Sequence, residues 1–211
     1  MRRLPLTGLL FVACFALAVI RYGNGAGSAP AGIVAYYASH ANRLRQIEGF
    51  AALLAGCVFL LVYVAVLARE LVREEPLASI ALVCGAGMTL LLAAGNALWG
   101  ATAFTAEIEG GFRITPATHL LVEDTGFALV VTGAAVGVPF VLATSIAVAR
   151  SRVLPRWFVL LGAVAALGLA AAYWYWPLAA FAVWVACGSV LLATREAAER
   201  ARAAGRSAPT R

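Results

Sequence analysis

The sequence contains no lysine, and charged residues make up only 12% of its 211 residues. Its formal net charge of +6 therefore comes entirely from arginine. Hydrophobic residues account for 63% of the chain, and the mean hydropathy is +0.90. These values lie far outside the range of soluble domains of this size. They exclude a soluble globular protein and indicate a chain that lies in a lipid bilayer.

Cysteine is scarce, and its spacing excludes two common roles for it. The four cysteines, Cys14, Cys57, Cys84 and Cys187, lie in apolar stretches and form no CxxC pair. Such a pattern indicates neither a disulfide framework nor a zinc ribbon. We interpret the four thiols as small, buried, hydrophobic side chains.

Asp, Glu, His and Arg are missing from the interior of every long apolar segment. Charged groups at membrane depth are energetically costly, and proton relays, voltage sensors and charged-substrate pathways depend on them. Their absence argues against an ion pump. It favours a non-enzymatic structural, sensory or accessory membrane component, which is our leading hypothesis, and the sequence indicates no cofactor.

Six apolar segments are long enough to cross a bilayer, since a spanning helix needs roughly 20 apolar residues. They cover residues 4–20, 49–68, 77–99, 125–149, 157–176 and 177–194. A short outer amphipathic helix is predicted over 30–47, because apolar residues recur there at helical spacing. The sequence thus predicts an all-α polytopic membrane helix bundle over 1–194. A partly disordered cytoplasmic tail is expected over 195–211.

Arginines concentrate on one side of the membrane if the six predicted helices alternate in direction. That side holds Arg2, Arg3, Arg69, Arg73, Arg150, Arg152, Arg156, Arg195, Arg200, Arg202, Arg206 and Arg211. The other side holds Arg21, Arg43, Arg45 and Arg113. The positive-inside bias places both termini in the cytoplasm of a bacterial plasma membrane. We therefore expect the lipid bilayer to be the partner of the protein, and the basic charge does not indicate a nucleic-acid partner.

The first apolar segment also has features of a secretory signal, because MRR precedes its apolar run. Ala29, Pro30 and Ala31 offer a small-x-small cleavage site, but this site lies far beyond the end of the run. We favour a first helix that is retained, and cleavage is the alternative.

The chain has two histidines, and both are predicted on the outer side of the membrane. His119 and Glu123 are i,i+4 neighbours on one helical face, and His40 lies on the outer helix. Imidazole and carboxylate groups at this spacing can share a metal ion, so these three residues form a candidate site for a metal-dependent membrane enzyme. We expect His119 and Glu123 to face inward, toward the helix that bears His40.

The alternative for the same outer cluster is a structural clamp. Glu123 and Asp124 would then pair with Arg43 or Arg45 and hold the outer helices together. No HExxH motif or Cys/His cluster is present to support the metal site.

Two predicted spans carry stripes of small and polar residues. The stripes are Gly85, Thr89, Leu92, Asn96 and Gly100 on the third span, and Gly126, Val130, Gly133, Gly137 and Thr144 on the fourth. Small residues let helices approach closely, so we expect these two faces to pack together. Two alternatives remain open. In the first, the GxxxG pair of Gly133 and Gly137 mediates a homodimer. In the second, the stripes and Asn96 line a carrier or channel for a small neutral or apolar solute.

One family resemblance can be drawn from the order of these segments. A first helix and a glycine-rich loop precede AGIVAYYASHANRLRQ, and VLPRWFVLLG opens the fifth span. From about residue 30 to 194, with Leu154-Pro155-Arg156-Trp157 as its most specific part, the chain resembles a family of uncharacterised six-helix bacterial membrane proteins, grouped as a domain of unknown function. The resemblance implies six spans and a regular outer helix, and it implies no activity or active site.

Overall fold

The computed structural model of the chain describes residues 6–23, 25, 27–71, 75–110, 115–174 and 178–206. These residues are almost entirely helical and contain no β-strand, so the predicted all-helical fold is confirmed. The helices are α1 (Thr7–Tyr22), α2 (Pro30–Ala38), α3 (His40–Glu70), α4 (Glu75–Ile108), α5 (Pro116–Ser151), α6 (Arg156–Ala170) and α7 (Leu178–Arg206), with a 3-10 helix at Ala172–Trp174. The predicted start of the first span, the junction at 175–177 and the end of the tail lie outside the described residues.

Four helices are long and apolar enough to cross a membrane, namely α3, α4, α5 and α7. Helices α1 and α6 are also apolar, but they have 16 and 15 residues. A span of the hydrocarbon core needs roughly 20 residues. The structure therefore supports a membrane helix bundle with four full-length helices, where the sequence predicted six spans.

The bundle has two ends, because consecutive long helices run in opposite directions. Late residues of α4 contact early residues of its neighbours, as Gly100 does with Phe50 of α3 and Gly95 with Gly126 of α5. We call the end that contains α2 and the start of α5 the rim, and the end where α5 finishes and α6 begins the base. Among the described helices, α4 and α5 form the most extensive contact.

The predicted outer helix over 30–47 is broken at Ser39, whose backbone is extended. A break leaves carbonyl groups at the end of α2 without helical partners. Side chains from the first turn of α3 bond to them instead. Asn42 donates to the carbonyl of Tyr36, and Arg43 donates to the carbonyls of Tyr37 and Ala38. Residues 40–47 consequently belong to α3, which continues to Glu70.

Helix α4 continues through residues 100–108 to Ile108, whereas the predicted third span ends at residue 99. Alanines in this stretch favour helix, and Gly110, with a φ of 70°, follows its end. Thr115 then caps α5, because its hydroxyl accepts a hydrogen bond from the amide of Thr118. With 34 and 36 residues, α4 and α5 are longer than a hydrocarbon core of about 30 Å requires, so the polar rim ends of both helices project past the apolar spans.

Aromatic rings fill the half of the bundle nearer the base. Trp184 of α7 stacks on Phe158 of α6 at a centroid distance of 5.3 Å, and it meets Phe140 of α5 edge-on at 5.6 Å. All three side chains are completely buried. We call these three residues, together with Phe181, the aromatic core.

Candidate functional site

A cavity of about 540 Å³ lies inside the rim half, between α1, α2, α3, α4, α5 and α7. Pockets that hold small organic ligands have volumes in this range. The wall is mostly apolar, and a second, wholly apolar void of about 30 Å³ adjoins it. Four residues line both spaces, namely Phe15, Leu92, Val130 and Leu178. We call the larger space the rim cavity.

His119 lies at the polar end of the rim cavity, although only 4% of the residue is exposed. Its Nδ1 is 3.1 Å from the hydroxyl oxygen of Thr102, and its ring meets Tyr37 edge-on at 5.1 Å. Its Nε2 is 3.4 Å from a carboxylate oxygen of Glu123, one turn further along α5. This contact is not aligned as a hydrogen bond, and Nε2 has no hydrogen-bond partner among the described residues.

Burial also determines the charge of His119, which lies in the projecting end of α5. Burial lowers the pKa of its imidazole, because apolar surroundings disfavour the cation, and the nearby Glu123 opposes this effect. The ring is therefore neutral at neutral pH, with a hydrogen on one nitrogen only. The carboxylate beside Nε2 favours the tautomer with that hydrogen on Nε2, in which Nδ1 accepts from the Thr102 hydroxyl.

The aromatic residues with polar groups that line the rim cavity are hydrogen-bonded within the protein. The bonds run from Tyr37 Oη to Gln46 Oε1 (3.3 Å), from Tyr22 Oη to Asn96 Oδ1, and from Trp99 Nε1 to the carbonyl oxygen of Glu123 (3.2 Å). Of the described side chains in the cavity wall, only His119 has a buried polar atom without a hydrogen-bond partner. Buried polar groups are nearly always bonded, so this nitrogen is an exception in the cavity wall.

A separate polar cluster joins α2 and α3 to the projecting end of α4. Arg43 Nε donates to Glu107 over 2.6 Å, and His40 Nδ1 is 3.0 Å from the same carboxylate. The hydrogen bond from Arg43 is the main reason that the pKa of Glu107 lies below its usual value. Since Arg43 also bonds two carbonyls of α2, one side chain connects three helices. We call these three residues the rim clamp.

The structure brings His119 and Glu123 together, but it places His40 with Glu107 instead. His40 begins α3 after the break at Ser39, and this first turn faces the end of α4. The predicted three-residue metal arrangement is therefore not formed. The described part of the chain contains no group of three or more His, Cys, Asp or Glu side chains that could hold a metal ion.

A clamp exists at the rim, but its acidic partner differs from the predicted one. Arg43 pairs with Glu107 on α4, whereas Glu123 or Asp124 on α5 was expected. Arg45 and Asp124 are both exposed. The difference arises because residues 101–108 are helical and bring Glu107 over the start of α3.

The predicted small-residue face of α5 packs inside the bundle against α4. Gly126 contacts Gly95, and both Gly133 and Gly137 contact Met88. The GxxxG pair therefore serves an internal contact in this structure. Thr144, further along the same stripe, is completely buried.

The predicted stripe on α4 does not face α5 as a unit. Asn96 donates to the carbonyl of Phe50 on α3, and Gly100 packs on the ring of the same residue. Gly85 contacts Val64 of α3 as well as Phe140 of α5, and Thr89 bonds the carbonyl of Gly85 in its own helix. The expected pairing of the two stripes is thus wrong for most of α4, which meets α5 through Met88, Leu91 and Gly95.

Several residues of the rim cavity were not identified from the sequence, including Tyr22, Gln46, Trp99 and Thr102. Trp99 and Thr102 are three residues apart, so they share a face if the helix continues past residue 100. The predicted third span ends at Trp99, so this spacing lies partly outside it. Tyr22 and Gln46 come from helices whose approach to α4 no local pattern reveals.

No protein-family model matches the chain, and neither a curated protein nor a solved structure matches it. The resemblance to a bacterial six-helix family therefore gains no support. Any function has to be argued from the rim cavity and the residues around it.

Proposed function

We propose that the chain is a multi-pass membrane protein that binds a small, largely apolar molecule in the rim cavity and does not transform it. The rim cavity carries this proposal, because it combines ligand-sized volume, an apolar wall and few polar groups at one end. Such a role fits a sensory or accessory component.

The proposal includes six spans in a bacterial plasma membrane, with the short helices α1 and α6 also in the bilayer. Support comes from the packing of α1 along α3, where Phe11 contacts Gly56 and Tyr22 contacts Gly49. The arginine distribution puts the base and both termini on the cytoplasmic side. A green fluorescent protein fused to the C-terminus should fluoresce, and a fused alkaline phosphatase should be inactive. The reverse result would contradict this orientation.

A carrier or channel is the second candidate, and the predicted route for it is closed. The α4–α5 interface is tightly packed, since a Cβ placed on Gly95 would lie 2.6 Å from the carbonyl oxygen of Gly126. Asn96, the predicted lining residue, is covered by Tyr22 and bonded to it. The aromatic core fills the bundle nearer the base. Passage would require this core to open, so binding without passage fits the structure better.

Photolabelling with a long-chain alkane that bears a diazirine tests the proposed binding. Ala18 is buried in the cavity wall on α1, and Ala16 is exposed on the same helix. With protein in lipid nanodiscs, Ala18→Phe should reduce labelling strongly because the new ring occupies the cavity. Ala16→Phe should label like the wild type. Equal labelling of both variants would show that the probe binds elsewhere.

A further inference from the structure

The rim cavity places an unpartnered imidazole nitrogen of His119 next to the carboxylate of Glu123. Nε2 of His119 points to the carboxylate of Glu123 at 3.4 Å, and the pair is misaligned for a direct hydrogen bond. The carboxylate of Glu123 favours the tautomer with the hydrogen on Nε2, and the Thr102 hydroxyl then donates to Nδ1. A buried N–H without a partner costs free energy, so a ligand atom that accepts from it stabilises the bound state.

We propose that this end of the rim cavity recognises the hydroxyl head group of a neutral amphiphile with one apolar chain. The inference rests on the proposed function, since it names the chemistry of the ligand for the same cavity. A hydroxyl group both accepts and donates. Its oxygen accepts from Nε2–H of His119, and its hydrogen is donated to the carboxylate of Glu123. One O–H group thereby completes both hydrogen bonds.

The wall of the cavity explains why the rest of the ligand is an apolar chain. Apart from its polar groups, the wall is formed by apolar residues such as Leu53, Val130, Phe15 and Leu178. The adjoining void of about 30 Å³ is lined by apolar residues alone. The ligand's head is therefore held by hydrogen bonds and its tail by burial of apolar surface.

Two other head groups fit this end of the cavity less well. A carboxylate head would be repelled by Glu123, and it has no hydrogen to donate to that residue. A quaternary ammonium head would be attracted by Glu123 and by the rings of Tyr22 and Trp99. It has no atom that accepts from Nε2 of His119, so it would leave the buried N–H without a bond.

Competition with a photoactivatable alcohol distinguishes these head groups. The probe is a dodecanol analogue with a diazirine near the end of its chain, and the protein is the full chain in nanodiscs. Unlabelled dodecanol, dodecanoate and dodecyltrimethylammonium then compete, at a pH where the acid is ionised. We expect dodecanol to compete at about tenfold lower concentration than the other two, which corresponds to one hydrogen bond to a buried or charged group.

Variants at the two polar residues connect this preference to the site. His119→Leu should weaken competition by dodecanol about tenfold, to the level of the other two molecules. Glu123 is half exposed, so Glu123→Gln should fold normally, and it should improve competition by dodecanoate. Asp124→Asn removes the neighbouring exposed carboxylate and should change neither value.

The outcomes separate this inference from the proposed function. Equal competition by all three molecules, or a preference for the ammonium head, overturns the hydroxyl head group and leaves the binding cavity in place. If Ala18→Phe fails to reduce labelling by either the alcohol or the alkane probe, both the cavity as a binding site and the head-group inference are wrong. A preference for dodecanol that disappears in His119→Leu or narrows in Glu123→Gln supports the inference.

Discussion

The rim half and the base half of the bundle both bury polar side chains, but they use them differently. Near the base, Tyr63, Ser145 and Ser189 place hydroxyl groups against Gly188, Gly162 and Gly8, respectively, in close-packed contacts without hydrogen-bond partners among the described residues. At the rim, most polar groups are bonded to each other and surround a cavity. A buried hydroxyl in a membrane bundle is therefore weak evidence for function. A cavity with one unsatisfied imidazole beside a carboxylate is stronger evidence.

The largest effect is expected at the aromatic core of the base half. Trp184 is 0% exposed and contacts three other rings. Trp184→Ala should lower the free energy of unfolding by about 3–5 kcal/mol, because it removes a large buried side chain and leaves a void. Detergent-based unfolding followed by circular dichroism measures this value. Trp174→Ala, at a ring that is 68% exposed, is the control. Similar losses for both would show that the base half is not the packed region.

Introducing a phenylalanine ring into the rim half and into the base half compares how much free space each half contains. Ala147 of α5 is 0% exposed near the base, and Ala18 of α1 is 1% exposed in the wall of the rim cavity. Ala147→Phe should cost about 1–3 kcal/mol or more through overpacking, whereas Ala18→Phe should change stability by less than about 1 kcal/mol because the cavity accommodates the ring. The two unfolding free energies are measured in the same detergent. Equal costs would mean that the rim half has no room for a ligand.

The rim half also contains a tightly packed seam between α4 and α5, where Gly95 meets Gly126. Substitution of Gly95 tests how closely the two helices pack. Its added methyl group would meet the backbone of Gly126, which cannot move without separating α4 from α5. Gly95→Ala should therefore destabilise the bundle by about 1–3 kcal/mol. In Gly87→Ala, on the same helix, the methyl group meets only Val136 at an ordinary 3.4 Å. This control should behave like the wild type, and a harmless Gly95→Ala would show that the seam is loose.

The smallest effect is expected at the rim clamp, where it should be local to α2. Arg43→Ala removes the bonds to two α2 carbonyls and to Glu107. Amide hydrogen exchange in α2 should become faster, with little change near the base. Arg45→Ala, at an exposed arginine on the same helix, should leave exchange unchanged. Faster exchange throughout the bundle would contradict a local role.

The same clamp gives a dependence on pH with a defined sign. Arg43 lowers the pKa of Glu107 in the folded protein. The contribution of this carboxylate to stability is therefore complete above the usual range of glutamate, and it is lost as the pH falls through the lowered folded-state value. Protection of α2, corrected for intrinsic exchange rates, should persist through mildly acidic pH. Loss of protection already near neutral pH would contradict this assignment.

The helical class, the start of α5 at Thr115 and Pro116, and the internal role of Gly133 were all accessible from local patterns. These features depend on composition, on capping and on residue size. The break at Ser39 was not accessible, because it is stabilised by the side chains of Asn42 and Arg43, and no local rule specifies those bonds. Six spans were predicted because the sequence has six apolar runs, and the fifth run continues beyond the end of α6 at Ala170.

The candidate site was predicted only in part, for a similar reason. Helical periodicity correctly put His119 beside Glu123, since both are on α5. Periodicity does not show which face of α4 packs on α3 and which packs on α5, because small residues occur on two faces of that helix, at Gly85 and at Gly95. The cavity itself arises from how α1 and α7 pack against α4 and α5. Such long-range packing leaves no periodic pattern in one sequence.

The position of the photolabel tests most directly whether the rim half is the binding region. After labelling with the diazirine alcohol, peptide mass spectrometry identifies the modified residues. The structure predicts modification at residues that line the rim cavity, such as Phe15, Val130 and Leu178, competed away by unlabelled dodecanol. Labels confined to outward-facing residues such as Leu160 and Val164, and unaffected by dodecanol, would contradict the binding function.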